Sequence, residues 1–73
     1  MFILLQVYQD EPSKALACSL DFDALRKIYW EEVFYTAAYL KEFYARIYCM
    51  QLTHKDALYK AQAHYQLLLA PEV

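Results

Sequence analysis

The chain contains no glycine in its 73 residues, and it has only two prolines and two cysteines. Without glycine it has no loop that can cradle a phosphate group at a helix N-terminus. Cys18 and Cys49 stand in no metal-ligand spacing, and we expect both to be small buried or half-buried side chains. No stretch of about 20 apolar residues occurs, so we expect neither a membrane span nor a membrane partner.

An excess of charge of either sign is also missing. Seven basic and nine acidic residues give a net charge of -2, with a pI near 5.5. Because non-specific nucleic-acid binding depends on clustered lysines and arginines, we expect no direct contact with nucleic acid. The apolar residues 1–7 have no basic segment before them and are too few for a signal peptide, which predicts a cytoplasmic protein.

Aromatic residues, in contrast, are abundant. Eight tyrosines, four phenylalanines and one tryptophan occur in a chain whose hydrophobic fraction is 60 %. A domain of this size buries only about 60 % of the surface that its unfolded chain exposes. Some rings must therefore remain at the surface, where large amphipathic side chains commonly contact another molecule. We expect one domain over residues 1–73, with surplus apolar surface.

The residue pattern predicts a mostly α-helical fold. Apolar residues recur in steps of three and four over 22–51, which indicates one long helix, and either Ser19 or Asp21 is in position to cap it. Thr53 is in position to cap a second helix over 54–70, which Pro71 would end. The turn between the two helices is short, so the sequence predicts an antiparallel helical hairpin.

The N-terminal segment is predicted to be extended. Residues 2–9 are rich in β-forming side chains, and their apolar residues alternate with Gln6 as in a half-buried strand. Pro12 breaks the chain, and residues 14–18 form either one short helix or a second extended segment. Because a lone strand is unstable, the first segment must pair with residues near 15–19, lie along the helices, or pair with a partner's strand.

The predicted long helix carries apolar residues on two sides. Such a helix is buried on both sides or presents one of them to a partner. Either the N-terminal segment covers the second stripe, or that stripe, centred on Trp30, is a contact surface. An extended segment can also add a strand to the exposed sheet edge of a partner. The candidate partner-binding residues are therefore Trp30, Phe34, Tyr35, Tyr39, Tyr44 and Tyr48 on the helix, and Ile3, Leu5 and Val7 before it.

The sequence predicts no catalytic, cofactor or metal site. His54 and His64 are ten residues apart, whereas two metal ligands on one helix face are four apart. Cys49 paired with a histidine would need a loop that supplies oxyanion donors, and the chain has almost no loops. We therefore expect a protein that is not an enzyme.

A set of residues within 38–65 matches a known helical hairpin. It consists of Phe43-Tyr44, Thr53, Lys55, Ala57-Leu58 and Ala61-Gln62. In this order the residues resemble the C-terminal helix–turn–helix of CHAT domains, which are caspase-like proteases. The resemblance implies a hairpin of helices. It does not imply protease activity, because the catalytic histidine and cysteine of that family lie in a sheet domain with no counterpart in this sequence.

In overall make-up the chain resembles small host-takeover proteins of bacteriophages, which are short, acidic, aromatic-rich and lack an active site. The resemblance rests on length, charge and aromatic content, and not on any residue motif. It implies an inhibitor or regulator that occupies the surface of a large host assembly, first host RNA polymerase and next a CRISPR effector. The alternative is a structural homo-oligomer formed through the second aromatic stripe of the long helix.

Overall fold

The computed structural model describes residues 1–69, which form a three-stranded antiparallel sheet and two helices. The elements are β1 (Phe2–Gln6), β2 (Lys14–Ser19), α1 (Phe22–Ile47), α2 (His54–Gln62) and β3 (Tyr65–Leu69). The strands lie in the order β2-β1-β3, so β1 is the central strand. The prediction of a mostly helical hairpin is therefore wrong, because the sheet is as much a part of the fold as the two helices.

β3 is the largest departure from the predicted fold. The second helix, predicted over 54–70, ends at Gln62, and the chain then pairs antiparallel with β1. The amide of Val7 donates to the carbonyl of His64 at 2.8 Å, which extends this ladder by one pair. Leucines favour helix, but pairing with the second edge of β1 overrides that preference. Pro71, the predicted end of the helix, lies outside the described residues.

The structure of residues 14–19 shows which of the alternatives predicted for the N-terminal segments is correct. Residues Lys14–Ser19 form a strand and not a short helix, and this strand pairs antiparallel with β1. Of the three arrangements considered for the first segment, pairing with residues near 15–19 is the one found. The register shifts by one residue between Leu4 and Leu5, which leaves Leu16 as the extra residue of a β-bulge.

Of the two residues considered for the cap of α1, Asp21 is the one that caps it. The Asp21 side chain accepts hydrogen bonds from the amides of Asp23 and Ala24 at 3.0 and 3.4 Å. These bonds satisfy two of the amides that the first turn of a helix leaves without an intrahelical partner. α2 begins in the same way, because Thr53 Oγ1 accepts from the amide of Asp56 at 3.1 Å.

α1 ends at Ile47, short of the predicted residue 51. Cys49 has a φ of 52°, in the left-handed region. On either side of it, the amides of Tyr48 and Met50 both donate to the carbonyl of Tyr44 at 3.1 Å. Helices commonly end with glycine in this conformation. In a chain without glycine, a cysteine takes that position.

The buried core is small and lies between the sheet and the two helices. Leu4 on β1 and Leu25 and Val33 on α1 are the largest side chains with no exposed surface. α2 contributes two alanines, which allows the helices to approach closely. The buried residues of the described chain are Leu4, Leu25, Val33, Ala37, Leu52, Ala57, Ala61 and Tyr65.

The strand register determines which side chains share a face of the sheet. Leu4 is buried under the helices, and its cross-strand neighbours Ala17 and Leu67 pack against the same core. We call the opposite side the outer sheet face. The register assigns to it Ile3, Leu5, Ala15, Cys18, Gln66 and Leu68. The Cα extents of 48 × 26 × 13 Å correspond to one helical layer on the sheet, which is the layer on the Leu4 side.

α1 is much longer than the sheet that it covers. Its 26 residues span about 39 Å, whereas a strand of five residues spans roughly 17 Å. The second half of α1 therefore extends past the sheet, where it packs against the nine residues of α2. This mismatch in length decides which side chains of α1 stay exposed.

Candidate protein-binding surface

Aromatic side chains remain exposed on both flanks of α1. The sheet and α2 cover only one stripe of this helix, whose buried residues are Leu25, Val33 and Ala37. Residues to either side of that stripe face solvent. The two exposed sides differ in their composition and in what supports them.

The first side is the tryptophan flank, which we define as Trp30 and Phe34. These residues are one helical turn apart, and their ring centroids lie 5.9 Å from each other. Trp30 is 38 % exposed and Phe34 is 52 % exposed. The ring of Tyr29 meets Trp30 edge-on at 5.2 Å and packs against the core. The flank therefore presents two touching rings on a fixed support.

The second side is the tyrosine flank, which we define as Tyr35, Tyr39 and Phe43. Tyr35 is 77 % exposed and Tyr39 is 61 % exposed. Tyr39 and Phe43 stack with their ring centroids 6.1 Å apart. Successive helix residues are about 100° apart, so the tyrosine flank faces a different direction from Phe34.

Shallow grooves run along the tyrosine flank. The largest, of about 300 Å³, lies between α1 and the start of β3, and Tyr35, Tyr39 and Tyr65 line it together with Glu32 and His64. Two further grooves of about 230 Å³ each continue past Tyr39 toward the end of α1. These volumes lie at or below the lower end of the range of about 300–1,000 Å³ for pockets that hold drug-sized ligands.

Tyr44 and Tyr48 differ in their exposure although both were predicted to contact a partner. Tyr44 is half-buried against the core, and Lys60 Nζ lies 5.3 Å from its ring centroid. Tyr48 is 59 % exposed, and its ring centroid lies 5.2 Å from that of Tyr44. The ring of Tyr44 therefore packs the end of α1 against the core, and the ring of Tyr48 is the more accessible of the two.

Ile3, Leu5 and Val7 were predicted to reach a partner as part of an added strand. β1 is the central strand, and both of its edges are already paired. In this fold residues 2–8 therefore have no free edge to offer to a partner's sheet. Ile3 and Leu5 remain half-buried on the outer sheet face, and the backbone of Val7 is bound to His64.

The sequence interpretation missed several exposed residues near the end of α1. Phe43, Ile47 and Met50 continue the spacing of apolar residues over 22–51, yet Ile47 is 61 % exposed and Met50 is 51 % exposed. The nine residues of α2 are too few to cover all of α1. Cys18 and Cys49, expected to be buried or half-buried, are both exposed.

The described residues offer little that is typical of a chemical site. Over residues 1–69, no three histidine, cysteine or carboxylate side chains lie close enough together to hold a metal ion. The buried residues in that range all belong to the hydrophobic core, and none of them is charged. The same part of the chain has no helix with the length and apolar character needed to cross a membrane.

No protein-family model matches the chain, and no curated protein or solved structure matches it.

Proposed function

We propose that the chain is a non-enzymatic protein-binding module that regulates a larger host assembly by occupying part of its surface. One observation carries the proposal: Trp30 and Phe34 touch each other on one flank of α1 and are 38 % and 52 % exposed. Tryptophan and other aromatic residues are enriched at the centres of protein interfaces, where a few residues supply most of the binding energy.

The exposed area of the tryptophan flank is large enough to matter for binding. With about 150–250 Å² per aromatic side chain, the exposed parts of Trp30 and Phe34 amount to roughly 200 Å². Burying this area stabilises a complex by about 5 kcal/mol before the costs of association are subtracted. That amount supports a binding anchor but does not by itself support tight binding, so other residues must contribute.

The support beneath the rings favours binding further. The ring of Tyr29 contacts Trp30, packs against the core and meets Tyr65 of β3 edge-on at 6.5 Å. Because the rings are held by packed neighbours, they lose little conformational freedom on binding. Such pre-organisation raises affinity without adding contacts.

The nature of the partner comes from the resemblance in make-up to phage host-takeover proteins. On that basis the first target is bacterial RNA polymerase and the second is a CRISPR effector, both in the cytoplasm of the host. Tyr35, Tyr39 and Tyr48 would widen the contact beyond the tryptophan flank. Inhibition would follow from steric occupancy, with no chemical step by this chain.

The test is a binding titration of the immobilised chain with purified bacterial RNA polymerase. We expect saturable binding that Trp30→Ala weakens about 30-fold or more, which corresponds to about 2 kcal/mol. Tyr59→Ala is the matched control, because Tyr59 is a 79 % exposed ring on α2, away from the tryptophan flank. It should change the Kd less than about threefold, and circular dichroism of both variants should match the wild type.

Each outcome has a defined consequence. Wild-type chain that does not bind the polymerase removes that target, and the same titration is then made with a CRISPR effector complex. Equal binding by wild type and Trp30→Ala would overturn the role of the tryptophan flank. A homodimer that Trp30→Ala dissociates would support the alternative, self-association through the aromatic stripe.

A further inference from the structure

The two edges of the sheet differ in their protection against pairing with another strand. β2 begins with Lys14 and contains the bulge at Leu16. Charge, proline and bulges are the features with which proteins block their sheet edges. β3 has the sequence Tyr-Gln-Leu-Leu-Leu, with no charged residue and no proline, and its register with β1 is regular.

β3 is also open on its outward side. It is an edge strand of the sheet, and no backbone hydrogen bond within residues 1–69 reaches that side. An unprotected edge of this kind presents a row of amide and carbonyl groups to any strand that fits it.

We propose that β3 pairs antiparallel with β3 of a second copy of this chain, forming one continuous six-stranded sheet. With Leu67 on the two-fold axis, Gln66 faces Leu68 and Tyr65 faces Leu69 of the second copy. Residues that face each other then belong to the same side of the sheet, as a regular ladder requires. A symmetric interface brings identical surfaces together. Because β3 carries no charged residue, no like charges face each other across it.

The exposed side chains of β3 and of the neighbouring part of α1 supply contact area that the backbone of a five-residue strand lacks. Leu69 is 70 % exposed and Leu68 is 38 % exposed. Tyr35 and Tyr39 lie on the side of α1 toward β3, because they line one groove with Tyr65. At about 150–250 Å² per ring, these two tyrosines expose roughly 250–300 Å² in each copy. With the exposed parts of Leu68 and Leu69 added, the area that two copies can bury together approaches the lower end of the range of about 1,200–2,000 Å² for stable interfaces, so we expect a weak, reversible dimer.

The proposed dimer is independent of the tryptophan flank. Trp30 and Phe34 lie on the other side of α1 from the groove beside β3 and stay accessible in the pair of chains. The dimer would occupy Tyr35 and Tyr39, which the proposed function counts as a wider part of the contact, but it leaves Trp30 and Phe34 free. It therefore goes beyond the proposed function, and either one can fail while the other holds. Trp30→Ala should leave the dimer unchanged.

Sedimentation analysis over a range of about 5–500 µM tests the proposal. The wild-type mass should rise from 8.7 kDa toward twice that value as concentration increases. Leu68→Lys, which adds the charge that protected edges carry, should raise the dimer Kd at least tenfold. Leu16→Lys is the matched control, because Leu16 is 36 % exposed and Leu68 is 38 % exposed, at opposite edges of the sheet. The control should change the Kd less than about threefold.

Gln66→Lys is a second variant for the case that Leu68→Lys fails to fold. Gln66 is already polar and exposed, so this change should leave the fold intact. It should weaken the dimer as Leu68→Lys does. Hydrogen exchange adds a readout of the place of contact: outward amides of β3 should become protected as concentration rises. A monomer at every concentration would overturn the proposal. So would a dimer that Leu16→Lys weakens as much as Leu68→Lys, or one without concentration-dependent protection in β3.

Discussion

The side-chain hydroxyls of Thr36 and Tyr65 lie 2.5 Å apart, and their hydrogen bond joins the middle of α1 to the first residue of β3. Tyr65 is only 8 % exposed, and its ring also packs edge-on against Tyr29. This residue therefore connects the third strand to the helix that covers the sheet. Tyr65 is also the first residue of the segment that forms a strand although its sequence pattern predicted a helix.

Removing this hydrogen bond should destabilise the fold measurably. Tyr65→Phe keeps the ring and deletes the hydroxyl, and we expect the free energy of unfolding in urea to fall by about 1 kcal/mol. Thr36→Val removes the other partner. The double variant should lose less than the sum of the two single losses, with a coupling of at least about 0.5 kcal/mol. Strictly additive losses would mean that the two hydroxyls do not interact.

Replacing Cys49 by glycine should stabilise the protein. Left-handed backbone costs a non-glycine residue roughly 1–2 kcal/mol, and the greater freedom of glycine in the unfolded chain offsets about 0.4–1 kcal/mol of that gain. We therefore expect Cys49→Gly to raise the free energy of unfolding by about 0.5–1 kcal/mol. Cys18→Gly is the control, because Cys18 lies in a strand and the same change there should lower stability by a similar amount. Destabilisation by both changes would contradict the assigned helix end.

The cap of α2 gives a third prediction. Thr53→Ala removes the oxygen that accepts from the amide of Asp56, and the free energy of unfolding should fall by about 1 kcal/mol. Thr53→Ser keeps that oxygen and should retain most of the stability. Thermal unfolding followed by circular dichroism measures both variants. Equal losses in alanine and serine would indicate that the hydroxyl does not cap the helix.

Local signals in the sequence predicted the parts of the fold that depend on neighbouring residues. Thr53 caps α2 as expected, Asp21 is one of the two candidates for the cap of α1, and Glu42 pairs with Arg46 at 2.6 Å. Each of these features requires only residues within four positions of one another. The extended conformation of the first segment followed from its alternating pattern in the same way.

β3 was not predictable from the same signals. Its residues continue the helical spacing of α2, and no glycine or proline separates the two elements. What makes Tyr65–Leu69 a strand is β1, more than 50 residues earlier in the chain, whose second edge it completes. Pairing over such a distance is a tertiary effect that overrides local propensity. The excess of apolar residues on α1 indicated exposed rings, but the short α2 determined which residues near its end are exposed.

The sheet and α2 cover α1 along one stripe only, so that its aromatic flanks face solvent. Neighbouring residues test it most directly, because Val33 has no exposed surface and Phe34 is 52 % exposed. We expect Val33→Ala to lower the free energy of unfolding in urea by about 2 kcal/mol, and Phe34→Ala to lower it by no more than about 1 kcal/mol although it removes the larger side chain. A loss of about 3–5 kcal/mol in Phe34→Ala is the cost of emptying a buried site, and it would contradict the account.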